Sequence, residues 1–187
     1  MRALGIQVID ADAIAHQLTS GPGETLEKIA SVLGEGLLDE RGGLDRAKVA
    51  ALAFSDKRFL DTLSGIVHEE VIRSIDEQLE EARERKVQAI ALDVPIPVQR
   101  GFLDVCDQVW TVTADQAIRL GRLQKRGMDP AEALRRMEIQ MTPDEYRAIA
   151  SHEIVNNGTL IELEERVRAL LMAELGERGI RIPGLPV

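Results

Sequence analysis

A doubly wound parallel α/β sheet is the architecture this sequence predicts, on three observations. Short β-branched runs alternate with amphipathic helical stretches along most of the 187 residues. One run, Val87 to Val94 (VQAIALDV), is apolar almost throughout, as suits a parallel strand covered on both faces. Three predicted strand ends carry polar or special residues: Asp10-Ala11-Asp12, Asp93-Val94-Pro95 and Asn156-Asn157-Gly158. Sheets of this kind bind ligands at the carboxyl ends of their strands, so these residues predict a small-molecule site.

The elements follow in order. Ile6 to Ile9 (IQVI) reads as a strand ending at Asp10, and Asp12 to Leu18 as a helix stopped by Gly21-Pro22-Gly23. Glu24 to Leu33 is amphipathic, with Leu26, Ile29, Ala30 and Leu33 on one face. Asp39 to Gly43 is a turn. Asp45 to Phe54, Lys57 to Leu63 and Ile66 to Lys86 read as three helices, the last with Val71, Ile75 and Leu79 spaced by four. After the apolar strand come Gln108 to Thr113 as a strand and Asp115 to Arg126 as a helix. Gly127-Met128-Asp129-Pro130 breaks that helix, and Pro130 to Gln140 resumes it. His152 to Val155 is a last short strand, Leu160 to Leu175 the closing helix, and residues 176–187 a loose tail.

Composition narrows the function. Apolar residues make up 44% and charged residues 29%, as in an ordinary globular domain. The net charge of −9 disfavours a nucleic-acid partner. No run reaches the length of a membrane span, so no membrane partner is expected. The single cysteine, Cys106, cannot form an internal disulfide, which suits a reducing cytoplasm. No His/Cys/Asp spacing suggests a zinc site. Oligomeric state is left open.

Six segments together resemble one family. They are VIDADAIAHQL at Val8–Leu18, GLLDERGGLDRAKVAALAFSD at Gly36–Asp56 and SGIVHEEV at Ser64–Val71. The others are ALDVPIPVQRGFLDVCDQVWTV at Ala91–Val112, RLQKRGMDPAEALRRMEIQM at Arg122–Met141 and EIVNNGTLIEL at Glu153–Leu163. In this order and spacing they resemble the dephospho-CoA kinases, P-loop kinases of nucleoside-monophosphate-kinase type. The resemblance implies a single P-loop-kinase-like domain over residues 1–175, with a helical acceptor-side insertion at about 22–86 and a lid at about 122–147. It implies ATP and dephospho-CoA as substrates, Mg2+ as cofactor, and transfer of the γ-phosphate to the ribose 3′-hydroxyl of dephospho-CoA. A nucleoside-monophosphate kinase would also suit the lid arginines, but the Asp-Ala-Asp segment and the Leu-Asp-Arg turn resemble the CoA branch more closely.

Residue roles follow from chemistry and resemblance together. Phosphoryl transfer to a hydroxyl needs a carboxylate to orient it or accept its proton; the resemblance gives that role to Asp12, with a helix cap as the alternative. Asp10 is the more cap-like of the pair. Arg136 and then Arg126, with Arg122, would clamp the moving phosphoryl group. Asp10, His68, Asp93, Pro95 and Gln99 fall on the acceptor side, and Asn157 and Gly158 on the adenine side. For His68 a satisfied helix position is an equal reading.

The sequence also departs from the family pattern. No Gly-rich loop ending Gly-Lys-Ser/Thr occurs in the 187 residues, so nothing visibly replaces the groups that cradle phosphate and hold magnesium. Met1 matches the point where the family's first helix gives way to its second strand. The first, central strand of the sheet is therefore expected to be missing, and the chain as given to have little or no kinase activity. Three outcomes are open to the strands flanking that position: direct pairing, a gap, or a borrowed strand. The family's proline after His68 is Glu69, its acceptor-side glutamate is Gln99, and its Ala-Asp pair before the last strand is Ala150-Ser151. These changes leave a second reading, a non-catalytic relative that binds a CoA-like or nucleotide ligand or a protein partner.

Overall fold

The computed structural model describes residues 1–94 and 106–182. The chain divides into two compact units, one of residues 2–96 and one of residues 97–187.

In the first unit, strand β1 (Gln7–Asp10) runs parallel to β2 (Ile90–Asp93), with Gln7 opposite Ile90 and Asp10 opposite Asp93. Four helices follow β1: α1 (Ala11–Thr19), α2 (Glu24–Leu33), α3 (Arg46–Ser55) and α4 (Lys57–Glu84). Three begin on aspartate caps, Asp10, Asp45 and Asp56, whose carboxylates accept from backbone N–H groups of the first turn. Helices α1, α2 and α3 all pack on α4. The core forms where they meet, around Leu26, Ile29, Leu37, Leu63 and Ile66. Between α2 and α3 the chain turns at Asp39, whose Oδ1 accepts from the N–H of Arg41 (2.8 Å) and of Gly43 (2.9 Å). That turn seats Leu38 opposite Leu44.

Two expectations for this unit need correction. The helices predicted at Lys57–Leu63 and Ile66–Lys86 are one 28-residue helix. A lone glycine such as Gly65 weakens a helix by about 1 kcal/mol. Continuing through it buries Leu63 and Ile66 on one face, worth roughly 1.5–3 kcal/mol each. The strand expected from Val87 starts only at Ile90. Lys86 adopts a left-handed φ of 56°, and the Val87 N–H bonds to the Ala82 carbonyl at 2.9 Å. This is a Schellman closure of α4, so Val87 is tied to the helix. β2 is also only half-buried along Ile90–Leu92, less than the expected two-sided cover.

An ion-pair network that periodicity does not reveal joins α2 to α4. Glu70, buried, accepts from Arg73 (2.6 and 3.0 Å) and from Lys28 (3.2 Å), while Lys28 also reaches Glu69 at 2.8 Å. The Arg73 guanidinium, more than the Lys28 ammonium, holds the Glu70 carboxyl below its ordinary value of 4.5. The folded state therefore binds fewer protons here than the unfolded chain, and Glu70 stabilises the fold above pH about 4.5. That stabilisation is lost as pH falls through the lower folded value. Replacing Glu70 with Gln is expected to cost about 1–2 kcal/mol at pH 7. In urea titrations the gap between the two proteins should close on acidification; an equal gap at pH 7 and pH 3 would contradict this account.

In the second unit, β3 (Trp110–Thr113) runs parallel to β4 (His152–Val155), with Trp110 opposite His152. Around them lie α5 (Gln116–Lys125), α6 (Pro130–Ile139), α7 (Pro143–Ile149) and α8 (Leu160–Glu177). α5 and α6 pack together across a turn in which Gly127 has φ 84° and Asp129 caps α6. Helix α7 was not foreseen, although Thr142 and Glu145 form a complete capping box, a signature readable in Thr-Pro-Asp-Glu. α8 starts on a second box, Thr159 with Glu162, and runs two residues past the predicted end. It is fastened to the sheet near its far end, where Glu174 meets His152 Nε2 (2.7 Å), Gln108 and Arg178. Trp110 packs edge-on to His152 with ring centroids 5.9 Å apart.

Hydrogen-bonded pairing among the described residues stops at two strands in each unit. The fold is thus α/β with parallel strands, and the expected continuous sheet is seen as two short ones. Among the described residues no helix is long and apolar enough to cross a membrane.

Candidate functional site

In the first unit the predicted acceptor-side carboxylates gather at one sheet edge. β1 and β2 are parallel and in register, so Asp10 and Asp93 stand opposite each other at the carboxyl ends of both strands. Asp10 is engaged as the cap of α1. Its Oδ1 accepts from the Ala13 N–H at 2.9 Å, and Oδ2 lies 3.4 Å from Arg2 Nη2. The Ala13 bond, with help from Arg2, holds its carboxyl below the ordinary 3.8. Asp12 differs: it sits exposed in the first turn of α1, and among the described residues its carboxylate has no hydrogen-bond partner. The helix needs only one cap, so capping by Asp10 leaves Asp12 available.

His68 lies on α4, and its Nε2 is buried with no partner among the described residues. Pro95 and Gln99 lie outside the described residues. An open cleft of about 440 Å3 in the same unit is lined by Thr19, Ser20, Asp39, Asp45 and Arg46, among others. Its carboxylates are committed to the Asp39 turn and the α3 cap, and Arg46 Nη2 contacts His16 Nδ1 at 2.5 Å.

In the second unit the structure brings together Arg122, Asn157 and Gly158. Arg122 Nη1 donates to the Asn156 carbonyl (2.8 Å), and Nη2 donates to the Gly158 carbonyl (3.0 Å) and to Asn156 Oδ1 (3.4 Å). Asn157 Oδ1 accepts from the Asp115 N–H at 2.9 Å, and the Asn156 N–H extends the sheet to the Thr113 carbonyl at 2.7 Å. Sequence reasoning marks Asn156 only as part of the Asn156-Asn157-Gly158 strand end and gives Asp115 no role. Space is also short at Gly158, where a β-carbon would meet Glu162 Oε2 at 1.9 Å. Glu162 is held there by its capping box with Thr159, so the turn admits no side chain without loosening the start of α8.

The other two arginines stand apart from this loop. Arg126 is the exposed C-cap of α5. Arg136, exposed on α6, pairs with Glu132 at 2.6 Å. Surface pairs of this kind are weak, so Arg136 can exchange its partner for a more highly charged anion.

Comparison with known proteins identifies the arrangement. The family model described as dephospho-CoA kinase matches residues 1–162, most of the chain. This chain belongs to the dephospho-CoA kinase family. A dephospho-CoA kinase of Corynebacterium diphtheriae is 36% identical over 167 residues, covering 89% of this chain and 84% of its own length. A solved structure from Thermus thermophilus matches with a TM-score of 0.72 at 32% identity, over 93% of this chain and 87% of that one. The dephospho-CoA kinase of Campylobacter jejuni shares the fold, with a TM-score of 0.68 at 23% identity over 94% and 89% of the two chains. The matches extend over residues of both units, and the site residues expected from the sequence lie within the segments that carried the resemblance.

Proposed function

We propose that this protein serves the transfer of the γ-phosphate of ATP to the ribose 3′-hydroxyl of dephospho-CoA, the closing step of coenzyme A synthesis. The observation that carries the reading is Asp12: an exposed carboxylate without a protein partner, in the first turn after a parallel strand, beside a sibling aspartate already engaged as the cap. A carboxylate so placed can accept a hydrogen bond from the incoming hydroxyl and take its proton as the phosphoryl group arrives. Asp93 stands at the same sheet edge, and His68, Pro95 and Gln99 complete the proposed acceptor side. Arg126 and Arg136 are proposed to reach the phosphoryl group from the lid, and Asn157 and Gly158 to meet adenine. Mg2+ would arrive on the nucleotide, an ion carried mainly by phosphate oxygens.

The absence of a Gly-Lys-Ser/Thr phosphate loop from the 187 residues favours a second reading. On it these residues by themselves bind the substrates without turning them over, since little else in the sequence would hold the β- and γ-phosphates. Both readings meet one experiment on the 187-residue chain: calorimetric titration with dephospho-CoA and ATP beside an ADP-release assay. Binding of either ligand with negligible ADP release is the expected result. Turnover typical of kinases, about 1–100 per second, would overturn the inactivity, and no binding of either ligand would overturn the assignment of the site.

A further inference from the structure

The loop after β4 is held from outside by one side chain. Arg122 projects from α5 and spans the loop, bonding the carbonyls of Asn156 and Gly158 on either side of Asn157. A planar guanidinium suits this task, because its donors point in fixed directions and can bridge two acceptors at once. Two further bonds, from Asp115 N–H to Asn157 Oδ1 and from Asn156 N–H to the Thr113 carbonyl, leave the loop little freedom. Five of its polar groups still have no partner among the described residues: the N–H groups of Asn157 and Gly158, the Asn157 carbonyl and the amide nitrogens of Asn156 and Asn157.

We propose that Arg122 is a positioning residue that fixes the 156–158 loop for reading an adenine base, and that it is not a phosphate ligand. The proposal rests on the kinase reading above. It follows from an accounting of donors and acceptors. Adenine's Watson–Crick edge has one acceptor, N1, beside one donor, the 6-amino group, and the free N–H and carbonyl groups around Asn157 match that pair. Guanine reverses that pair, with O6 an acceptor and N1–H a donor, so the loop N–H would face a donor and the loop carbonyl an acceptor, a penalty that adenine avoids. A phosphate-binding arginine would have its fork free; here both terminal nitrogens are on loop oxygens.

The test uses the 187-residue protein, with adenosine, ATP and GTP as probes followed by NMR titration. Backbone amide exchange of residues 156–159 is read in parallel without ligand. Replacing Arg122 with Ala should weaken adenosine and ATP by the same factor, about tenfold, narrow the ATP-over-GTP preference, and speed exchange at Asn157 and Gly158. Arg122→Lys, which keeps the charge but lacks the planar fork that spans the two carbonyls, should bind adenosine as weakly as the alanine variant. If Arg122→Ala weakens ATP but leaves adenosine unchanged, and Arg122→Lys restores ATP, then Arg122 is a phosphate ligand and the proposal is wrong. If the unsubstituted protein binds neither adenosine nor ATP, the kinase reading fails and the base-reading role falls with it. Accelerated exchange in the alanine variant would then show that the arginine orders the loop for another purpose.

Discussion

Replacing Asp12 with Asn should reduce phosphoryl transfer by about 100- to 10,000-fold, the range expected on losing a general base, while leaving the fold unchanged. The measurement needs a form of the protein that turns over, such as these 187 residues with a Gly-Lys-Ser/Thr loop segment joined ahead of them. Asparagine keeps the size of the side chain and its hydrogen-bonding oxygen but cannot take a proton. Because the Asp12 carboxylate is exposed and makes no bond to the protein among the described residues, the thermal midpoint should move by no more than about 2 °C. The fall should appear in kcat more than in KM, as for an interaction made in the transition state. The same change at Asp10 should give the opposite pattern, a helix start weakened through its bond to the Ala13 N–H, with activity following stability. Equal kinetic losses at both positions would mean that Asp12 has no special role.

The largest effect on stability should come from Leu26. It is 1% exposed, packed with Ile29, Leu37, Leu63 and Ile66 where α2 meets α4. Truncation to alanine removes apolar contacts and leaves a cavity, at a cost of about 2–5 kcal/mol. For a unit of this size that amounts to a fall of roughly 10 °C or more in the midpoint. Circular dichroism is the suitable probe, because this unit is mainly helical and the chain's single tryptophan, Trp110, lies in the other one. Leu26→Met, which conserves volume, should lose less than about 1.5 kcal/mol. A loss below 1 kcal/mol on truncation to alanine would show that the site collapses freely and that the core is not organised around it.

Much of this was legible from local pattern. The bounds of α2, the span of β4, the aspartate-led helix starts and the turn at Asp39 are set by residues a few positions apart, and the sequence shows them directly. What was hidden depends on partners far along the chain. Glu70 reads as one more charge on a helix face until Lys28, 42 residues earlier, is found beside it. Arg122 reads as a lid arginine suited to phosphate, because the carbonyls that engage it lie 34 and 36 residues later. The break expected near Gly65 treated a helix as isolated, when the face it buries outweighs one glycine. The strand expected from Val87 overlooked that the same residue could finish the preceding helix, since a left-handed lysine is a conformation that composition does not advertise. Helix α7 is announced locally, by the Thr142–Glu145 capping box.

The 28-residue helix on which α1, α2 and α3 all rest also governs where this sequence can change length. Each residue of an α-helix advances the chain by about 100° of rotation and 1.5 Å. One residue inserted in the middle of α4 would therefore swing every side chain beyond it off its present face. Leu63 and Ile66 would no longer match Ile75 and Ala82, and three partner helices would lose their common register together. The turns at Gly21–Gly23 and Asp39–Gly43 impose no such phase. Insertions and deletions that survive in this half of the protein should gather there, with α4 acting as a ruler whose length is fixed by everything laid against it.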